Sequence, residues 1–284
     1  KAGRFSHAVQ AGQGLPGGIE HTALQVGLQP AQALARDELQ ADGDERPGTA
    51  LLQRRACDAF VHGMAALPIA ADEIPDFRRL SDVLMQRTGW QVVAVPGLVP
   101  DEVFFEHLAN RRFPAGHFIR KPHELDYLEE PDVFHDVFGH VPMLMNPAIA
   151  DFIQAYGQGG LRAQQLGCLP QLARVYWYTV EFGLMNTPAG LRIYGAGIVS
   201  SRTESIFALD DPSPNRIGFD LERVMRTHYR IDDFQESYFV LDGLDQLLEL
   251  ARIDFAPLYE RVRALPDMEP GEMLAGDAVI VRGT

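Results

Sequence analysis

The chain has 284 residues, 46% of them hydrophobic, enough for one large domain or two small ones around a sizeable core. Its net charge of −14 and pI near 5.0 argue against nucleic acid or an anionic membrane surface as a partner. Two cysteines, Cys57 and Cys168, give no disulfide framework and suit a reducing cytoplasm. No apolar run approaches the ~20 residues of a membrane-spanning helix, and no signal-peptide core stands near the N-terminus.

Residues 1–48 are rich in Gly, Ala, Gln and Asp and carry one aromatic residue, Phe5. They read as a divergent leader with some helical character over Thr22–Leu39 but without a packed unit of its own, ahead of a domain over residues 49–284. From Thr49 the pattern becomes regular. Leu51, Leu52, Ala56, Phe60 and Met64 recur at helical spacing to about Leu67. Phe77–Arg87 reads as a second helix stopped by Gly89, Trp90–Val95 as a strand, and Pro96-Gly97 as a turn. A helix over Asp101–Asn110 and a short strand over His117–Arg120 lead to the central stretch.

That stretch, Pro131 to Pro142, places His135 and His140 five residues apart among apolar neighbours. Five steps at ~3.6 residues per turn put two side chains well apart around an α-helix. The imidazoles converge only if the helix distorts or ends near Gly139. A metal gives a reason to converge, since imidazole is its commonest nitrogen ligand; the alternative is a pair of core or helix-surface histidines.

Beyond it, Pro147–Leu166 reads as a helix with a weak break at Gly157, Gly159 and Gly160, and Pro170–Met185 as a further helix carrying Glu181. A buried carboxylate needs a cation or a proton, unless it faces solvent or pairs with a base such as Arg174. With both histidines it completes two His and one carboxylate, the set of non-haem Fe(II) oxygenases and also of some zinc hydrolases. HExxH is absent. A strand and turn over Leu191–Gly197, a helix over Ser200–Leu209, a segment Phe219–Thr227, a strand Tyr238–Leu241 and a helix Leu244–Ala264 complete a mainly α chain with a few short β-strands.

Three stretches, Val133-Phe134-His135-Asp136-Val137-Phe138-Gly139-His140-Val141-Pro142, Tyr176-Trp177-Tyr178-Thr179-Val180-Glu181-Phe182-Gly183 and Tyr194-Gly195-Ala196-Gly197-Ile198-Val199-Ser200-Ser201, resemble the pterin-dependent aromatic amino acid hydroxylases. The resemblance is nearest to the bacterial phenylalanine 4-monooxygenases and runs from about Thr49 to about residue 265, with three motifs in order. It implies a single mainly α catalytic domain, Fe(II) held by His135, His140 and Glu181, a tetrahydropterin cofactor, and conversion of L-phenylalanine to L-tyrosine with O2.

It also implies roles that the residues alone do not. Arg120, otherwise a surface partner of Glu124 or Asp126, takes the substrate carboxylate with its planar fork. Trp177 and Gly197 line the pocket for the substrate ring, and Ser200 stands near substrate and beside a ligating histidine. Phe104, which alone reads as core, stacks on the pterin, with Gly97, Val99 and Asp136 completing the cofactor site. Tyr176 lies next to the iron. Leu128 and Glu129 depart from the Thr and Pro of the animal enzymes, which bears on how the carboxylate clamp is built. The apolar Ile231 stands where tyrosine hydroxylases of the family are acidic and so disfavours tyrosine as substrate.

Within the family, tryptophan or tyrosine is the competing substrate. Outside it stand a zinc hydrolase using the same ligands and a catalytically dead binding protein, the latter opposed by the intact triad. A monomer in the cytoplasm is expected, with phenylalanine, O2 and reduced pterin as its partners.

Overall fold

The computed structural model describes residues 49–69, 74–119 and 131–284 of the chain. The leader 1–48, Arg120, Leu128 and Glu129 lie outside the described residues. The first predicted helix is two pieces, α1 (Thr49–Gln53) and α2 (Asp58–Ala66). Between them Arg55 O accepts from Ile193 N–H, and Cys57 N–H donates to Ile193 O, each at 2.8 Å. A strand has taken the backbone groups that a continuous helix would use.

α3 (Phe77–Arg87) matches expectation. The Asp76 carboxylate accepts from the N–H of Arg78 at 2.9 Å, capping the first turn, while Leu80 and Leu84, four apart, bury one face. β1 (Gln91–Val95), α4 (Asp101–Ala109) and β2 (Arg112–Gly116) form a parallel βαβ unit in register from Gln91↔Arg112 to Val95↔Gly116. The strand predicted at His117–Arg120 is therefore displaced toward the N-terminus. β1 runs out at Val95, and residues 117–119 have no partner strand in this sheet.

His135–His140 is a π-helical turn, followed by a 3₁₀ turn, Val141–Met145. α5 (Pro147–Gln165) is capped by the Asn146 carboxamide oxygen and runs unbroken through its glycines. A Cβ on Gly157 would strike Ala109 and Leu108, and one on Gly160 the Phe105 ring. The glycines let α4 press close; they do not end the helix.

α6 (Leu169–Tyr176) passes into a second π turn, Trp177–Glu181, closed by Phe182 N–H donating to Trp177 O at 2.8 Å. The helix predicted as far as Met185 therefore stops at Glu181, and Leu184–Thr187 is strand β3. β4 (Gly190–Ile193), α7 (Ala196–Val199) and α8 (Arg202–Asp210) follow. Ser201 caps α8, accepting from Glu204 N–H at 3.2 Å.

β5 (Asn215–Gly218), α9 (Leu221–Arg226), β6 (Ser237–Leu241), α10 (Asp245–Leu250), α11 (Phe255–Arg263) and β7 (Val279–Val281) complete the described order. The predicted helix Leu244–Ala264 is two helices, because Asp254 starts α11 by accepting from Ala256 N–H at 3.1 Å. The second sheet runs β4-β3-β6-β5-β7, parallel at β3/β6 and β5/β6, antiparallel at both edges. One buried cluster extends from Leu52 through Phe105, Leu144, Tyr178 and Phe239 to Val262, joining helices and sheet around a common core.

Candidate metal centre and cofactor cleft

The two π turns explain how residues five apart meet. A π turn closes i→i+5 hydrogen bonds, so widening the helix by one residue brings His135 and His140 toward the same side. Their Nε2 atoms lie 3.2 Å apart. The second π turn delivers Glu181, whose carboxylate oxygens stand 3.3 Å from His140 Nε2 and 3.5 Å from His135 Nε2. His140 and Glu181 are buried, and His135 is half-buried. Arg174, a possible partner for Glu181 on sequence grounds, instead forks onto Asp267 with bonds of 2.7 and 2.8 Å.

The protons decide what this cluster can hold. The Ser200 hydroxyl has one hydrogen, and it goes to Ala196 O at 2.7 Å. His135 Nδ1, 2.9 Å from the same hydroxyl oxygen, must then be the donor in that contact. A neutral His135 is therefore fixed with its Nε2 lone pair pointing at His140 and Glu181. Two imidazole nitrogens and a carboxylate converging in this way suit a dication. Ligands held about 2.1 Å from one ion on one face lie about 3.0–3.4 Å apart, close to the separations seen. Among the described residues, His135, His140 and Glu181 are the group that could hold a metal.

Close backbone packing keeps the ligands in place. A Cβ on Gly139 would sit 2.9 Å from Ala196 O, so the first π turn and α7 approach only because this residue is glycine. A Cβ on Gly195 would strike Glu181 O. Gly197 packs similarly: its Cβ would come within 2.9 Å of the Phe182 ring and 3.1 Å of Glu181 O.

Beside the cluster, a cleft is lined by Gly97, Val99, Asp101, Phe104, Gly116 and Asp136, among others. All four residues expected at the cofactor, Gly97, Val99, Phe104 and Asp136, meet there. Asp136 is buried and accepts from Gly116 N–H at 2.8 Å, so it is not the solvated residue its charge alone suggests. Phe104 is part of the core and also lines the cleft. Tyr176 links the two regions, with its ring 6.1 Å from Phe104 and 6.3 Å from His140.

Trp177 stacks on Tyr229, with centroids 4.3 Å apart and planes 15° from parallel, and its ring centroid lies 4.7 Å from that of Phe182. Its indole N–H donates to Gln235 Oε1 at 2.9 Å. Arg120 lies outside the described residues.

Two residues escaped the sequence reading. The sequence marks Asp101 only as the start of a helix. It lines the cleft three residues before Phe104, on the same helix face, and burial pushes its carboxyl up to about 6. Gln235 sits in a loop with no local signal at all.

The family described as biopterin-dependent aromatic amino acid hydroxylase matches residues 48–261. The phenylalanine-4-hydroxylase of Caulobacter vibrioides is 69% identical over 236 residues, covering 83% of this chain and 80% of that protein. The phenylalanine-4-hydroxylase of Ralstonia nicotianae is 63% identical over 235 residues, covering 83% and 75%. Among solved structures, Chromobacterium violaceum phenylalanine hydroxylase with bound oxidised Fe(III) superposes with a TM-score of 0.84 at 54% identity, covering 90% of this chain and 91% of that one.

Proposed function

The chain belongs to the biopterin-dependent aromatic amino acid hydroxylases, and from that premise we propose that it converts L-phenylalanine to L-tyrosine with O2 and a reduced tetrahydropterin at a non-haem Fe(II) site. The observation that carries this reading is the convergence of His135 Nε2, His140 Nε2 and the Glu181 carboxylate within 3.2–3.5 Å of one another, beside a cleft lined by Phe104. A zinc hydrolase has no such support, because the relatives are named as phenylalanine hydroxylases.

Bound together, iron and reduced pterin supply the activation of O2 and the oxidising power for the ring. The chain's own residues do the rest. His135, His140 and Glu181 would hold the dication as two neutral imidazoles and one carboxylate, the carboxylate offsetting part of its charge. Ser200 holds His135 in the tautomer that offers Nε2. Phe104 would present an aromatic face to the pterin, Gly97 and Val99 form the cleft wall, and Asp136 would face the cofactor through water. Trp177 and Gly197 shape the slot for the substrate ring, and Arg120 grips its carboxylate. Buried aromatic walls keep water from a reactive centre.

The three candidate metal ligands come from one chain, which accords with a monomer as the active species. The free, buried cysteines Cys57 and Cys168 accord with the cytoplasm, and no helix among the described residues is long and apolar enough to cross a membrane. The test is an amino acid product assay with a reduced pterin and phenylalanine, tyrosine or tryptophan in turn, loaded with Fe(II) or zinc. Tyrosine should form from phenylalanine with Fe(II) and not with zinc. Its absence in every arm, or turnover without pterin, overturns the reading.

A further inference from the structure

Gln235 is 2% exposed, and every polar atom of its side chain is committed. Its Oε1 accepts from the Trp177 indole N–H at 2.9 Å, and its Nε2 donates to Arg230 O at 2.9 Å and to Asp233 O at 3.5 Å. The reverse amide orientation would set N–H against N–H and oxygen against two carbonyls, so the partners themselves decide the flip. The backbone of Gln235 is also tied down, hydrogen-bonding to the Glu204 carboxylate, which accepts from the Tyr238 hydroxyl as well. One buried amide thus joins the loop 229–234 to the indole, and Tyr229 from that loop stacks on the same indole at 4.3 Å.

We propose that Gln235 is a positioning residue for the hydroxylation, fixing the Trp177 indole and the loop 229–234 as one wall so that the substrate ring has a single seat. The proposal rests on Trp177 lining the ring pocket. Packing alone leaves an indole free to slide in its own plane between flat neighbours, and the bond from its N–H removes that freedom. Trp177 also begins the π turn that ends at Glu181, so the ring wall and a metal ligand share one short segment. A seat displaced by ~1 Å suffices to lower productive attack severely.

The test is a double-mutant cycle on iron-loaded enzyme with reduced pterin, reading KM for phenylalanine, kcat, tyrosine formed per pterin oxidised, iron content and Tm. Gln235→Leu should raise KM about fivefold or more and lower the tyrosine formed per pterin oxidised, with kcat for tyrosine formation falling in step with the coupling and iron content unchanged. Trp177→Phe should also raise KM. In that background Gln235→Leu should change KM by less than about twofold, because the N–H it served is gone. Should Gln235→Leu fold poorly, Gln235→Met, of similar length and without the amide, carries the same cycle.

An equal rise in KM in both backgrounds, or a fall in Tm with KM and coupling unchanged, overturns the proposal while leaving the pocket intact. An unchanged KM for Trp177→Phe alone overturns the pocket reading and this inference with it.

Discussion

Only one hydrogen is available on the Ser200 hydroxyl, and because Ala196 O takes it, the state of His135 follows from a residue that need never touch the metal. Ser200→Ala removes the acceptor for Nδ1–H and lets the ring rotate or change tautomer. We expect iron affinity to fall by roughly 10- to 100-fold with little change in Tm, measured by iron titration of the apoprotein. Arg120 is proposed to act at the other end of the substrate. If it forks onto the carboxylate of phenylalanine, a lysine keeps the charge but loses the planar orientation. Arg120→Lys should leave iron and pterin binding intact, raise KM for phenylalanine and lower the tyrosine formed per pterin oxidised. Unchanged coupling and KM would return Arg120 to a surface ion pair.

At the scale of elements, the site depends on two helices leaving α geometry where the ligands sit. Gly139→Ala tests the first. Its new Cβ, 2.9 Å from Ala196 O and 3.2 Å from Ala196 Cβ, would push α7 away and carry Ser200 off His135. An overpacking cost of about 1–3 kcal/mol is expected, seen as a lower Tm, together with weaker iron binding. Unaltered iron affinity would show that α7 yields without moving Ser200.

This also marks what could be read beforehand. The triad was legible because imidazoles and a carboxylate in apolar runs are chemically expensive, whatever helix holds them. Convergence required a distortion near Gly139, and one is found, but a 3.6-residue period carries no mark of a π turn. The same assumption ran the Glu181 helix on to Met185, which is a strand residue. β5 and β7 went unseen because their pairings are distant: Asn215 with Ser237, Arg216 with Val281. Gln235 became visible only once the fold had brought it to Trp177.

Glu204 and Tyr238 tie α8 to the central strand β6, and this link makes the stability of the whole molecule sensitive to pH. Burial pushes the Glu204 carboxyl from 4.5 to about 7, outweighing the bonds from the Tyr238 hydroxyl and the Gln235 backbone. Between those two values the folded chain holds a proton that the unfolded chain has released. The contribution of Glu204 is therefore intact below pH 4.5 and falls as pH rises to about 7, then stays level. Glu204→Gln, neutral throughout, should flatten this part of the Tm–pH curve and raise Tm at pH 8 relative to the parent. A parent curve with no decline between pH 5 and pH 7 attributable to this residue would contradict the assignment.

The extent of the catalytic unit is the remaining question at this scale. The family match begins at residue 48, and the buried core of the described residues begins at Leu52. The segment before them has a single aromatic residue, Phe5, and a composition dominated by small and polar side chains. Ordering a segment costs about 1–2 kcal/mol per residue in backbone entropy, and a chain with little large apolar surface to bury has little to offset it. All three ligands, the cleft residues Gly97, Val99, Phe104 and Asp136, and the Gln235–Trp177 link lie after residue 90. Deleting residues 1–46 should therefore leave kcat, KM for phenylalanine, coupling and Tm within experimental error of the full chain. A fall in Tm of several degrees would show that the leader packs on the domain, and a change in KM at constant Tm would show that it reaches the substrate or pterin site.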